Sequence, residues 1–303
     1  MGRKKLLIIG FGSVGKKHFD ILKKNYSKKI NVFVYSKLTN KNFDKSAISE
    51  IKNINPDFFI LSTPSYQHYK QLKLLNDNFR NKTILCEKPL FLKNHKLKPN
   101  FNKIFIGYNL RFHPVLKEFK KIFKNKKVDA VDIHCSTNVI KWRKPKKDYV
   151  PYSFLQNKGG GVLFDLSHEI DYFSWIFGIF KVEKKKFFRN SDNKIVTAKN
   201  IFFANGTNDK CKKVTFYMNF MSNKEKRYIK VYYNKRIFYG DLKKNQFKIL
   251  QNNKILKIKT FKNYNIIQTF KEEIEDIFFK KKKMSCNLVD GVKLTKKLVE
   301  MSL

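Results

Sequence analysis

LLIIGFGSVGKKHFDIL, residues 6–22, is the stretch on which the fold turns. Leu6 to Ile9 are apolar without alternation, as expected of a strand buried on both faces of a parallel sheet. Gly10, Gly12 and Gly15 follow at once, and His18, Phe19, Ile21 and Leu22 then recur at helical spacing. The order is strand, tight turn, helix. In that setting Gly10 permits the turn, Gly12 lets the main chain approach a pyrophosphate, and Gly15 lets helix and strand pack closely. The amides that open the helix, around Ser13 and Val14, would face the phosphates of a dinucleotide.

Working outward, the same alternation repeats. INVFVYS (30–36), DFFILSTP (57–64), TILCEKP (83–89) and KIFIGYN (103–109) read as four more buried strands, and residues 65–79 read as a helix with Tyr69, Leu72 and Leu75 on one face. Five strands alternating with helices predict an α/β fold that begins with a Rossmann-type, doubly wound parallel sheet over residues 1–108. Ligands of such sheets lie beyond the carboxyl ends of the strands, here Gly10, Ser36, Ser62 to Pro64, Glu87 to Lys88 and Gly107 to Asn109.

Residues 109–303 have a different texture and predict a second α/β domain with a large, mainly antiparallel open sheet. Helices are expected at Pro114–Phe123 and from about Leu163 to Ile176, the latter stopping at Gly178. Between Lys181 and Thr260, short β-branched and aromatic segments such as KVTFYMNF and RYIKVYYNKRIFYGD predict strands, with reversals at Asn205–Gly206 and Gly240–Asp241. Helical patterns over roughly 267–280 and 287–301 close the chain.

With 303 residues, each domain can build a core without staples. Cys86, Cys135, Cys211 and Cys286 lack metal or redox spacing, so no metal is expected and the thiols suit a reducing, cytoplasmic compartment. No apolar run approaches the roughly 20 residues of a membrane span. The 66 Lys and Arg against 24 Asp and Glu give a net charge of +42. These lysines are spread along the whole chain and accompany abundant Asn, Phe, Ile and Tyr, which reads as compositional drift and not as a specific nucleic-acid groove.

Candidate site residues cluster after the strands. Tyr35, Ser36 and Lys37 stand where an NAD site usually offers a carboxylate to the ribose; Ser36 and Lys37 would suit a 2′-phosphate, leaving NAD and NADP both open. Glu87, Lys88 and Pro89 fall at the level of the cofactor ring, where the compact charge of Lys88 can polarise a carbonyl or bind a hydroxyl. In GGGVLFDLSHEIDYF, Asp165, His168 and Asp171 sit at three-residue steps, so one helix would place Asp165 beside His168. That histidine is a candidate acid or base, with either aspartate able to orient its ring. Arg111 and His113 follow the fifth strand, and Trp142, Arg143, Tyr149 and Tyr152 read as a lid or as the wall of a sugar pocket.

Taken in order, GFGSVG, STPSYQH, CEKPL, GYNLRFHP and GGGVLFDLSHEIDY resemble the motif series of the glucose-fructose oxidoreductase, inositol dehydrogenase and MocA-like family, and the closing CNLVDGVKLTKKLVEMS does too. The resemblance implies reversible hydride transfer between NAD or NADP and a sugar or cyclitol carbinol, with subunit contacts through the C-terminal sheet of a homo-oligomer. It implies that Ser62, Thr63, Pro64 and His68 line the nicotinamide side, that Lys88 contacts the substrate hydroxyl, and that His168 moves its proton. Asp165 stands three residues before His168 where many members keep four. The wording of GYNLRFHP, DYVPY and DLSHEIDY resembles members from surface-polysaccharide and nucleotide-sugar pathways, so an activated sugar is the expected substrate. The alternative is a catalytically silent NAD(P)-binding sensor or structural protein of the same fold.

Overall fold

A computed structural model describes residues 2–36, 43–145, 150–189, 196–280 and 284–303. In chain order the first elements are β1 (Lys4–Ile9), α1 (Ser13–Tyr26), β2 (Ile30–Tyr35), α2 (Ala47–Ile54), β3 (Phe58–Leu61), α3 (His68–Asn78), β4 (Thr83–Cys86) and β5 (Lys103–Ile106). Then come α4 (Pro114–Phe123), β6 (Val128–Asn138), α5 (Val139–Trp142), α6 (Val162–Asp165) and α7 (His168–Phe177). Seven strands follow: β7 (Lys181–Phe188), β8 (Ile201–Asn208), β9 (Cys211–Asn219), β10 (Met221–Tyr233), β11 (Arg236–Asp241), β12 (Gln246–Gln251) and β13 (Lys254–Thr260). The chain closes with α8 (Ile266–Ile274), β14 (Cys286–Asn287) and α9 (Leu288–Ser302).

Two compact units result, Met1–Asn109 with Phe270–Thr295, and Leu110–Thr269 with Lys296–Leu303. The division at 108/109 therefore needs a correction, because the first unit takes back a C-terminal segment from the expected 109–303 domain. The reason is burial. Ile274 and Phe278 pack with Leu6, Ile8, Ile21, Leu22, Ile60 and Leu85 in one apolar cluster, and Cys286 pairs with Ile106 across β14 and β5.

The first unit's sheet runs β14-β5-β4-β3-β1-β2, parallel except for β14. Ile9 pairs with both Tyr35 and Leu61, Leu61 with Cys86, and Cys86 with Ile106. This register sets Gly10, Ser36, Ser62, Glu87 and Gly107 in one row past the carboxyl edge.

The second unit's sheet runs β13-β12-β11-β10-β6-β9-β8-β7, with only the β6–β9 pair parallel. Val131, Ile133, Phe216, Ile229, Val231 and Phe247 are buried on the face that carries the helices. The alternate positions give a second face on which Tyr217, His134, Tyr228 and Tyr239 form a row. Successive ring centroids there are 4.9, 4.9 and 5.6 Å apart.

The reversals expected at Asn205–Gly206 and Gly240–Asp241 fall slightly later, at Asp209–Lys210 and at Leu242–Asn245: Gly206 lies inside β8, and Asp241 is the last residue of β11. A Cβ at Gly206 would stand 1.9 Å from the Lys181 carbonyl oxygen, and one at Gly240 would stand 2.5 Å from the Phe119 ring, so both glycines serve close packing. The chain also turns at Asn234–Lys235 and Asn252–Asn253, all with positive φ, as tight two-residue hairpins require.

His113 is 2 % exposed, with Nε2 3.1 Å from Asn245 Oδ1 and its ring edge-on to Tyr264. Burial pushes its pKa down to about 4, against the pull of the Asn245 bond. The unfolded chain therefore takes up this proton first as pH falls. The neutral ring's contribution is complete above about 6.5 and lost on descending towards 4, a change of about 3 kcal/mol. Urea denaturation from pH 7 to 4 should show this loss, with a shallower slope for His113→Gln. An unchanged slope would remove His113 as the cause.

Candidate active site

In the first unit the strand-end row is built from the glycine turn outward. Gly10 has φ +92°, and a Cβ there would lie 2.8 Å from the backbone of Ser62 and Thr63. A Cβ at Gly15 would meet the Gly10 carbonyl oxygen at 2.2 Å, so only glycine fits where the first turn of α1 passes the end of β1. Gly12 differs: it caps α1 at φ −74°, and among the described residues nothing lies within 4 Å of a Cβ built there. Gly12 and Ser13 are exposed and Val14 is half-buried, which leaves the first amides of α1 open to an anion.

The two kinds of glycine separate in experiment. Gly12→Val should leave the melting temperature within about 2 °C while weakening dinucleotide binding at least about tenfold, since the side chain fills only ligand space. Gly15→Val should lower stability sharply, by more than about 3 kcal/mol, through overpacking against backbone. Equal effects on folding from both would refute the assignment of Gly12 to a ligand.

Ser62 donates its hydroxyl to the Gly10 carbonyl at 2.8 Å and so staples the turn from β3. Thr63 donates to Gln71 Oε1 at 2.6 Å, and Pro64 follows half-buried. His68, expected beside the nicotinamide, is 1 % exposed and inserted between two carbonyl oxygens: Nδ1 is 2.9 Å from Pro89 O, and Nε2 is 2.9 Å from Thr63 O. Burial pushes its pKa below the ordinary histidine range, although both carbonyls pull upward. A neutral ring then donates to one carbonyl only.

Glu87, expected at the cofactor, is instead 8 % exposed, with Oε1 2.7 Å from His18 Nε2. Gly107 makes the room, for its Cβ would lie 2.9 Å from Glu87 Oε2. Lys88 is half-buried directly beyond β4. Ser36 is half-buried at the end of β2, and Lys37 lies outside the described residues.

In the second unit, the single helix expected from Leu163 to Ile176 is broken. Leu166 leaves helical geometry with ψ +27°, Ser167 caps a new helix, and His168 is its first residue. Asp165 therefore does not share a continuous helical face with His168. It is 6 % exposed, and His168 is half-buried. Asp171, the other aspartate considered for orienting that ring, accepts from Arg111 Nε at 3.0 Å and Nη2 at 2.7 Å. Arg111, expected against substrate, is 4 % exposed, with its charge paired to Asp171 on α7.

Glu169, for which no local spacing signals a partner, has no exposure and is held by Arg227 of β10 at 2.6 and 3.1 Å. Two buried ion pairs thus anchor the helix that begins with His168. Ahead of it, Gly161 has φ +121°, and a Cβ on Gly160 would lie 2.4 Å from the Tyr152 carbonyl oxygen. The guanidinium of Arg143 lies 5.0 Å from the Trp142 ring and 5.7 Å from that of Tyr152, which makes one aromatic and cationic wall. Tyr149 falls outside the described residues.

All four cysteines are buried thiols. Among the described residues no helix is long and apolar enough to cross a membrane, and no group of three His, Cys, Asp or Glu side chains is arranged to hold a metal ion.

No protein-family model matches the sequence, and no curated protein does. Solved structures do match the fold. A super-repressor mutant of Gal80p from Saccharomyces cerevisiae is similar at TM-score 0.79 and 14 % identity, over 99 % of this chain and 95 % of that one. UDP-N-acetylglucosamine 3-dehydrogenase from Acidithiobacillus ferrooxidans is similar at TM-score 0.73 and 14 % identity, over 100 % and 97 %. An inositol dehydrogenase homolog from Azotobacter vinelandii, complexed with NADH and myo-inositol, is similar at TM-score 0.71 and 9 % identity, over 99 % and 95 %. The fold is the one the motif series implied, that of the glucose-fructose oxidoreductase, inositol dehydrogenase and MocA-like proteins.

Proposed function

We propose that this chain is an NAD(P)-dependent oxidoreductase acting on a carbinol of a sugar-like substrate, in surface-polysaccharide or nucleotide-sugar metabolism in the cytoplasm. The observation that carries the reading is the strand-end row of the first unit: a glycine turn open at Gly12 beside a sheet edge that ends, at β4, in Lys88. The residues present fit a dinucleotide, because open helix amides and a missing Cβ are what a pyrophosphate needs. When bound, the nicotinamide ring supplies the hydride donor or acceptor.

The protein's own part is binding, orientation and proton handling. Gly12, Ser13 and Val14 receive the phosphates, Gly15 keeps α1 close against the turn, and Ser36 contacts the ribose. In the oxidative direction the Lys88 ammonium holds the carbinol oxygen and stabilises negative charge as it develops. His168 takes the hydroxyl proton, and the reductive direction returns it. Asp165 assists His168, and the wall of Trp142, Arg143 and Tyr152 covers the sugar ring and meets its anionic group.

Copies of the chain associate through the open face of the second sheet. Exposed Ile255, Leu256 and Ile258 on β13 continue the apolar and aromatic surface begun by Tyr228 and Tyr239, and such a surface is normally covered.

NADH and NADPH are titrated against the purified protein by nicotinamide fluorescence, and a panel of nucleotide sugars is then screened by nicotinamide absorbance. Saturable binding of one cofactor and turnover of a sugar carbinol are expected. A second reading, a silent NAD(P)-binding protein, is favoured by the likeness to a Gal80p super-repressor mutant. Tight cofactor binding with no turnover across the panel would select it, and no binding of either cofactor would end both.

A further inference from the structure

Both chain neighbours of Lys88 are gripped by buried imidazoles. On one side Glu87 Oε1 meets His18 Nε2 at 2.7 Å, and His18, on α1, has no solvent exposure. On the other, the Pro89 carbonyl faces His68 Nδ1 at 2.9 Å, while His68 Nε2 faces the Thr63 carbonyl at the same distance. Both tethers lead back to the glycine turn. The helix that carries His18 starts at that turn, and Ser62, next to Thr63, bonds the Gly10 carbonyl. The space is built for this arrangement, since a Cβ on Gly107 would press on the Glu87 carboxylate at 2.9 Å.

We propose that His18 and His68 are positioning residues that hold the Glu87–Pro89 backbone, and so the root of the Lys88 side chain, in register with the glycine turn. The proposal deepens the oxidoreductase reading and rests on it. A carboxylate only accepts, so His18 acts as donor through Nε2–H. Glutamine at position 18 retains a donor of similar reach, and alanine retains none.

His18→Ala, His18→Gln and His68→Ala are made in the full chain. His18→Ala should lower kcat about 30-fold with cofactor Kd within about threefold, since displacing a reacting group by about 1 Å costs up to 10²-fold. His18→Gln should recover kcat to within about threefold of the parent, and His68→Ala should lower kcat in the same direction. With deuterated nicotinamide the isotope effect on His18→Ala should rise, because hydride transfer becomes slower than product release.

Unchanged kcat in either alanine variant overturns the proposal. So does a joint fall of kcat, cofactor affinity and melting temperature that glutamine does not rescue, since that pattern marks a merely structural histidine. If the parent protein binds no NAD(P)H, the functional reading fails on its own account. Crystal structures of the two His18 variants then decide this point: Glu87 and Lys88 displaced in alanine but not in glutamine supports the clamp, and no displacement overturns it.

Discussion

Lys88→Met should lower kcat about 10³-fold while leaving NAD(P)H affinity within about threefold. Methionine keeps the length and the apolar stem but removes the charge and all three donors. In the proposed reaction the ammonium acts on charge that appears at the carbinol oxygen only as hydride moves, so its loss falls on kcat more than on ground-state binding. His168→Gln should cost about 10²- to 10³-fold, and adding it to Lys88→Met should cost much less than the product of the two, because groups that act as a unit are not additive. Independent, multiplying losses would place the two residues in separate roles. Full activity in Lys88→Met would end the assignment of this lysine.

Removing one partner of the Glu169–Arg227 pair should be strongly destabilising. Glu169 is wholly buried, and the Arg227 side chain is 23 % exposed. Arg227→Met therefore leaves a buried carboxylate without its counter-charge, at a cost of about 3–5 kcal/mol. For a unit of this size the melting temperature falls by roughly 6–20 °C. Glu169→Gln combined with Arg227→Met removes both charges and should regain at least half of the loss, since replacing a whole buried pair is close to neutral. No recovery in the double variant would show that Arg227 acts through packing and not through charge. Because Glu169 adjoins His168 at the start of α7, residual turnover in the single variant should fall further than the fraction unfolded explains.

Much of the fold was legible because its signals are local. The buried strands around LLIIG and TILCEK lie two-face buried in a sheet, and such strands show as unbroken apolar runs. Pro114 opens α4 at its first position, and Gly178 with φ +102° closes α7. Two hairpin turns lie a few residues later than expected, at Asp209–Lys210 and Leu242–Asn245, because the nearby glycines serve packing and not the turn itself. Asn234–Lys235 and Asn252–Asn253 adopt positive φ without glycine, while Gly206 and Gly240 were needed for close packing, a reason no short sequence window contains.

The candidate site divides in the same way. The glycine turn and the row of strand ends follow from the motif and from strand register, both written along the chain. What each titratable side chain does was decided by partners far away in sequence: His18 by Glu87, Arg111 by Asp171, Glu169 by Arg227 and His68 by Pro89. The break between Asp165 and His168 is likewise invisible to spacing, since three-residue steps fit an unbroken helix equally well.

Backbone pattern and turn chemistry, read from the sequence alone, determined a parallel sheet with a glycine-rich turn at its carboxyl edge and a second, open sheet. Only the tertiary structure decided which charged and imidazole groups are buried against one another. A buried polar group must be paired wherever its partner lies in the chain, and pairing at long range leaves no periodic trace in the sequence.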